Sequence, residues 1–451
     1  MSKKIFDLGM LYFGKMGALM VGFFFMPIYS KVLGPESFGQ VALLLSLVSA
    51  ALTLDFGTTT IIGRDAADSE VSQRKGYEQY LSAILLLIIF YSCTYVIYFP
   101  LSFVYGWGDF DELTMLSTLL LILSLLIQNV SVSYLNGLKE FKVSGGLLFF
   151  SVVLRGVVTL VAIKYISNDI FVFILSQTIV SIVFAMIFVF LPTYLKVGPI
   201  SSLDIKKIFF GVLPLVKKGF PLLLFGFSAA LVMQLDKIVL SKFEGASFLA
   251  AYYLAFTFST TPILAIAGPI KQYYQPFIVS NITKNDANYR KYSLLFCLTI
   301  YIMVVLPVLF VYPFLENVLS LWLGRNPLLP DVLTFSKVLL PAFVIGALSY
   351  IPSVLMTVAE DYKFQAKFSV ISSLLFAISV FFMGVTGYST YIAWVFCVYY
   401  SLVIVLCGIR CLYLSKVQFC IKDILKYIIP AFVPAVVVYW CGVIISHYLF
   451  F

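Results

Sequence analysis

Long apolar runs, each broken by a short cluster of charges, glycines or prolines, set the rhythm of this chain. They cover residues 8–32, 38–62, 79–99, 113–135, 145–165 and 170–191. After a more polar stretch at 192–219 they resume at 220–240, 247–270, 292–315, 332–357, 367–387 and 391–413, and a last run fills 427–450. Each is close to the ~20 residues that carry an α-helix through a hydrocarbon core. Backbone facing lipid finds no water to bond, so helices that close their own hydrogen bonds are the predicted elements. Pro27, Pro221, Pro262, Pro307 and Pro352 lie inside these runs and are tolerated because neighbouring helices re-satisfy the freed backbone groups.

The clusters between runs alternate in character. Bases crowd every second one: Lys3 and Lys4, Arg64, Arg74 and Lys75, Lys139 and Lys142, Lys206 to Lys218, Arg290, Lys363, Arg410 and Lys422. The intervening clusters offer Lys31, Lys164, Lys242 and Arg325. Bases in short loops stay on the cytoplasmic side, which predicts a cytoplasmic N-terminus and a cytoplasmic stretch at 192–219. The first run lacks a small-residue cleavage site and is expected to be a retained span. Pro430 and Pro434 let the last run tilt or re-enter, which leaves the side of the C-terminus open.

Two short motifs recur at equivalent hairpins. Ser30-Lys-Val-Leu-Gly-Pro-Glu-Ser-Phe38 joins runs one and two, and Ser241-Lys-Phe-Glu-Gly-Ala-Ser-Phe248 joins runs seven and eight. Glu140-Phe-Lys142 and Asp361-Tyr-Lys363 form the next matching pair. Six runs per repeat is an even number, so both halves keep one orientation. That predicts a pseudo-two-fold axis along the membrane normal with a substrate site between two six-helix lobes. The expected fold is an all-α polytopic membrane protein with an N-lobe at 1–191, a cytoplasmic linker at 192–219 and a C-lobe at 220–413. An additional loop and apolar helix at 414–451 would bring twelve core spans to thirteen. The 205–215 part of the linker mixes bases with apolar residues and is expected to lie on the anionic leaflet surface.

Composition narrows the function classes. Of 451 residues, 62% are hydrophobic and only 11% charged, and mean hydropathy is +1.04. Roughly a quarter charged is normal for soluble domains, so lipid must be the solvent for most of this chain. The net charge of +9 would suggest nucleic acid in a soluble protein; here orientation accounts for the bases, and no nucleic-acid partner is expected. The seven cysteines lie in or beside apolar runs without a CxxC pair, and the single histidine, His447, sits near the end. Neither a metal site nor histidine catalysis is expected. No nucleotide-binding or hydrolase motif is present, so neither enzymatic activity nor a cofactor is expected.

Charges inside the runs carry the remaining signal, because an ionised side chain at the bilayer centre costs about 2.5–3.5 kcal/mol on insertion scales. Arg155 lies near the middle of the fifth run with Ser151 and Thr159 one turn to either side. A guanidinium stays charged and grips phosphate oxygens bidentately, which suits a pyrophosphate; the competing reading is an ion pair that locks helix packing. Lys15 adjoins the small-residue face Gly14, Ala18 and Gly22, and reads either as a second anion ligand or as a lysine snorkelling to the interface. Asp55 opens toward Arg64, and Asp236-Lys237 sits close to the outer end of the seventh run. Asp55 and Asp236 are candidates for coupling a proton or sodium ion, or for pairing with the buried bases. Adjacent residues point about 100° apart on a helix, so Asp236 and Lys237 are expected to meet different partners. The doublets Tyr252-Tyr253, Tyr273-Tyr274 and Tyr399-Tyr400 suit an interfacial belt or a surface that stacks on sugar rings.

With these residues in hand, the chain resembles the Wzx-type O-antigen and polysaccharide flippases of the multidrug/oligosaccharidyl-lipid/polysaccharide (MOP) exporter superfamily. The likeness is carried by Pro27-Ile-Tyr-Ser-Lys-Val-Leu-Gly-Pro-Glu-Ser-Phe-Gly39 and by Asp55-Phe-Gly57 leading to Arg64. Asp236-Lys-Ile-Val-Leu240, and Gly245 followed by Ala251-Tyr252, extend it. The resemblance implies two lobes around a cationic cavity that opens alternately to either side of a bacterial inner membrane. It implies as cargo an undecaprenyl-pyrophosphate-linked oligosaccharide, moved from the cytoplasmic to the periplasmic leaflet before polymerisation. On this reading Lys15, Arg155 and Arg64 bind the pyrophosphate, H+ or Na+ supplies the energy, and the polysaccharide polymerase machinery is the neighbouring partner. A multidrug or cation antiporter of the same superfamily would want an acidic cavity instead. A membrane-embedded polymerase would want larger loops than the stretches at 100–112 and 316–331.

Overall fold

The computed structural model describes residue 17 and residues 22–67, 73–105, 110–192, 204–283 and 288–450. These are helical with short connections, and no strand occurs among them. Twelve of the helices are long and apolar enough to cross a membrane, and the shorter apolar helix Gly22–Leu33 precedes them. The chain is a multi-pass membrane protein. The described residues fall into two compact units divided between Ile238 and Val239.

The first unit holds α1 (Gly22–Leu33), α2 (Pro35–Thr53), α3 (Thr58–Ala67), α4 (Gln73–Tyr105), α5 (Glu112–Gly137), α6 (Phe141–Tyr165), α7 (Ile170–Pro192) and most of α8 (Ile205–Glu244). α5 is its hub, packing on α2, α3, α4, α6 and α7. Its core is aliphatic and aromatic, with the Tyr80 and Tyr134 rings stacked at 4.7 Å and the Tyr80 hydroxyl 2.6 Å from Ser131 Oγ. On α6 the two faces separate cleanly: Ser151 and Thr159 are buried, whereas Phe150, Leu154, Val157 and Val161 face outward. That is the sorting expected where lipid, not water, surrounds the bundle.

The run expected as one span at 38–62 is broken. α2 stops at Thr53 and α3 begins at Thr58, with Phe56 and Gly57 both at positive φ, 54° and 62°. The reason is local. The Asp55 carboxylate accepts hydrogen bonds from the Gly57 and Thr59 N–H groups (2.8 and 3.1 Å) and from the Thr59 hydroxyl (2.6 Å), capping α3 in competition with a continuous helix. The Tyr91 hydroxyl donates to the Ala51 carbonyl at 2.7 Å, which also accepts the Leu54 N–H at 2.9 Å where α2 ends.

The stretch at 192–219, expected as a linker, is from Ile205 onward the first part of the 40-residue helix α8. α8 packs directly against the break. A Cβ on Gly219 would meet the Phe56 carbonyl oxygen at 2.0 Å, and one on Gly226 would meet that of Thr53 at 2.2 Å. Glycine lets two backbones touch there, and this contact extends the helix inward from its charged start.

The second unit contains the end of α8 and α9 (Ala246–Thr283), α10 (Asn288–Ile300), α11 (Leu306–Val311), α12 (Leu315–Leu323), α13 (Leu329–Leu348), α14 (Tyr350–Val358), α15 (Tyr362–Val385), α16 (Ile392–Tyr413) and α17 (Gln418–Phe450). α9, α13 and α16 enclose an aromatic core in which Phe256 packs edge-on against Phe343 at 5.1 Å. α10 passes into α11 through a π-helical turn, Tyr301–Val305, just before Pro307. α17 runs unbroken through Pro430 and Pro434 and is held to α10 by Arg290 and Asp423, 2.5 Å apart.

The sequence repeat has a backbone counterpart. Gly34 (φ 79°) and Gly245 (φ 87°) turn the chain at the two matched hairpins, and each carbonyl accepts the N–H four residues on, from Phe38 and Leu249. At the second pair Lys139 (φ 65°) and Glu360 (φ 63°) take the same left-handed turn, followed by bonds from Glu140 N–H to Leu135 and from Asp361 N–H to Met356. These are matching αL helix ends. The break after Thr53 has no counterpart in α9, which stays helical through Pro262, Pro269 and Pro276.

Candidate functional site

The best-formed polar constellation in the first unit surrounds Arg155. Ser151, Arg155 and Thr159 recur every fourth residue, which places them on one face of α6 toward α5 and α7. The Arg155 guanidinium makes a long 3.5 Å contact to Ser181 Oγ on α7. The Ser181 carbonyl accepts from Gln128 Nε2 of α5 at 2.8 Å, and Gln128 Oε1 accepts from Ser151 Oγ at 2.9 Å. One turn further, Ser176 Oγ bonds Thr159 Oγ1 at 3.1 Å. On the α1 side, the Tyr29 hydroxyl donates to the Gly156 carbonyl at 2.9 Å and lies near enough to Arg155 to interact electrostatically. Every neighbour is neutral: among the described residues no carboxylate pairs with Arg155. Arg155 and Gln128 both sit well inside the apolar spans Phe141–Tyr165 and Glu112–Gly137.

The sequence marks Arg155 with Ser151 and Thr159 one turn to either side, but not the residues of α1, α5 and α7 that meet this face. Gln128 was legible as an amide inside an apolar run; Ser181 and Tyr29 gain their meaning only from helix packing.

The other predicted residues are placed elsewhere. Lys15 lies outside the described residues. Arg64 is 70% exposed and chelates its neighbour Asp65 through Nε and Nη2, at 3.0 and 2.7 Å from Oδ1. Its neighbour Gly63 faces Gly137, nine residues beyond Gln128 on α5 and therefore about 13 Å further along the axis. Arg64 and Arg155 are thus at different depths. Asp55 has both carboxylate oxygens engaged as the α3 cap. Asp236 and Lys237 were expected to meet different partners, yet they pair with one another. Lys237 Nζ reaches back to Asp236 Oδ1 at 3.1 Å and bonds the Met233 carbonyl, with both side chains almost fully buried. A flexible lysine stem overcomes the angular offset, and burial of either charge alone would be costly. Tyr252 and Tyr400 are neither belt nor exposed stacking surface; they pack in the core of the second unit against Phe335 and Phe343. Among the described residues no cluster of His, Cys, Asp and Glu has metal-binding geometry.

The profile of a family described as polysaccharide biosynthesis protein matches residues 28–327. No curated protein matches the sequence. Solved structures share the fold at low identity. The lipid II flippase MurJ in an inward closed conformation aligns with TM-score 0.68 and 14% identity, over 97% of this chain and 99% of its own. A multidrug resistance MATE family transporter of the MOP superfamily, outward-facing, aligns with TM-score 0.63 and 14% identity over 93% and 96%. A MOP superfamily transporter from Pyrococcus furiosus, described as having a binding pocket of reverse polarity, aligns with TM-score 0.61 and 16% identity over 90% and 95%.

Proposed function

Because this chain belongs to the polysaccharide biosynthesis protein family and has the MOP transporter fold, we propose that it is a flippase for an anionic, lipid-linked oligosaccharide. Its cargo is an undecaprenyl-pyrophosphate-linked repeat unit of O-antigen or a similar polysaccharide. It moves from the cytoplasmic to the periplasmic leaflet of a bacterial inner membrane and is then handed to the polymerase machinery. The base-rich ends of the spans, with Arg64 in the last turn of α3, face the cytoplasm.

The observation that carries this reading is Arg155: a permanent cation near the middle of α6, reaching Ser181 on α7 and bonded to no carboxylate among the described residues. A charge in that position is expensive unless something compensates it, and a pyrophosphate supplies two acceptor groups of the right sign. Lys15 adds a second cation from the first span. The lipid tail stays in the bilayer while the head group crosses among fixed cations and hydroxyls, which lowers the barrier of the hydrocarbon. A proton or sodium gradient supplies the energy.

The cation-antiporter alternative is less well supported, because the Asp55 carboxylate is saturated by helix-capping donors and Asp236 is neutralised by Lys237. The test is delivery of lipid-linked oligosaccharide to the periplasmic leaflet in cells carrying Arg155→Ala or Arg155→Lys. Delivery falls strongly with Ala and partly with Lys. Undiminished delivery by a well-expressed Ala variant overturns the assignment.

A further inference from the structure

Lys271 lies on α9, twelve residues before its end at Thr283, toward the base-rich end of the second unit. Every other described lysine of that unit is exposed, as suits a base that reaches for water; Lys271 is half-buried. Its ammonium rests over the Tyr350 ring of α14, 4.9 Å from the centroid. Arg290, Arg410 and Lys416 at the same end each meet a carboxylate. Among the described residues no carboxylate lies within ion-pair distance of Lys271.

The surroundings leave room for a ligand. Gly268 and Gln275 stand three residues before and four after Lys271, on the same face of α9. A Cβ at Gly268 would meet nothing within 4 Å. Gln275, half-buried, brings an amide donor to that face. The Tyr274 hydroxyl is 2.9 Å from Thr299 Oγ1 and ties this turn of α9 to α10. A ring beneath an ammonium is worth about 0.5–1 kcal/mol at an exposed site and leaves its N–H donors unspent. An anion compensates a half-buried cation more fully, and a phosphate accepts several donors at once.

The repeat shows why this cation matters. Arg155 comes fifteen residues after Glu140, and Phe376 comes fifteen after Asp361, the residue at the matched turn. Phe376 packs edge-on against Phe396 at 4.9 Å, in the aromatic core. The second unit has an aromatic ring where the first has its guanidinium, and it presents a half-buried cation from a different helix.

We propose that Lys271, with Gln275 beside it, is a binding residue of the second unit for the pyrophosphate of the lipid-linked cargo. The choice of ligand rests on the flippase reading of the chain. The site itself is built within the second unit, from a cation fixed over a ring of α14 and open space one turn away on α9.

The test titrates full-length protein in mild detergent with farnesyl pyrophosphate, farnesol and inorganic pyrophosphate, and bound ligand is counted by native mass spectrometry. Farnesyl pyrophosphate is retained, farnesol is not, and inorganic pyrophosphate binds more weakly than the lipid. Lys271→Gln weakens retention about tenfold, the worth of one hydrogen bond to a charged group. Lys271→Arg keeps the charge and most of the binding, and Lys291→Gln, at an exposed lysine of α10, leaves binding unchanged. Parental binding by Lys271→Gln overturns the proposal, as does an equal loss in Lys291→Gln or equal retention of farnesol. Inorganic pyrophosphate binding as tightly as the lipid also overturns it, because the ligand is then a free anion. Arg155→Ala in the same titration separates this site from the cargo reading. Weakening by Arg155→Ala alone removes Lys271 and keeps the flippase assignment, whereas parental binding by both variants removes both.

Discussion

Asp55 holds the break between α2 and α3, and its removal has a calculable cost. Three donors converge on its carboxylate: the N–H groups of Gly57 and Thr59 and the Thr59 hydroxyl, at 2.8, 3.1 and 2.6 Å. The side chain is 9% exposed, so water does not replace what is lost. In Asp55→Ala the Thr59 hydroxyl can rotate to another acceptor, but two backbone donors are stranded at roughly 1–3 kcal/mol each. A cap measured alone is worth ~0.5–2 kcal/mol. Together these put Asp55→Ala at about 2–4 kcal/mol of destabilisation. Asp55→Asn keeps one oxygen acceptor and loses about 1 kcal/mol. The assay is equilibrium unfolding in mixed micelles of a mild detergent and dodecyl sulfate, followed by circular dichroism. An Asp55→Ala protein within ~0.5 kcal/mol of the parent refutes the capping argument.

Three other perturbations probe the same framework. Gly226→Ala sets a methyl group 2.2 Å from the Thr53 carbonyl oxygen, where only backbone movement relieves the clash; a loss of ~1–3 kcal/mol is expected in the same unfolding assay. Gln128→Leu removes the link between Ser151 and the Ser181 carbonyl and lets Arg155 swing, so stability falls by about 1–2 kcal/mol and transport falls with it. Asp423→Asn weakens the clasp from Arg290 to α17, a half-exposed contact worth about 1 kcal/mol or less. Limited proteolysis should cut faster near residue 418, with cleavage elsewhere unchanged.

The number and order of the spans are legible in the chain because apolar length is itself the determinant of crossing. The repeat is legible as well, since Gly34 and Gly245 mark turns that need a left-handed residue and Glu140 and Asp361 follow another such pair. What hydropathy misses is any event that leaves composition unchanged. Averaging over 38–62 hides the break, because the deciding interaction is one carboxylate turning onto backbone donors two and four residues away. The start of α8 reads as a linker from its lysines, while the glycines that let it pack on Phe56 and Thr53 matter only once α2 is in place. Asp236 and Lys237 are separated by helical geometry on paper and reunited by the length of the lysine stem. Arg155 stands out in sequence as a charge amid apolar neighbours. Its partner Ser181, and the Gln128 that bonds the Ser181 carbonyl, come from two other helices, and no local pattern announces them.

The role proposed for Arg155 is to grip an anionic head group within the span. Its most direct test is transbilayer movement of a pyrophosphate-linked oligosaccharide lipid in vesicles reconstituted with the parent protein, Arg155→Lys or Arg155→Ala. Loss of charge-assisted hydrogen bonds worth ~1.5–3 kcal/mol predicts a fall of roughly 10- to 100-fold for Ala and a smaller one for Lys. Movement at the parental rate by folded Arg155→Ala protein would contradict it.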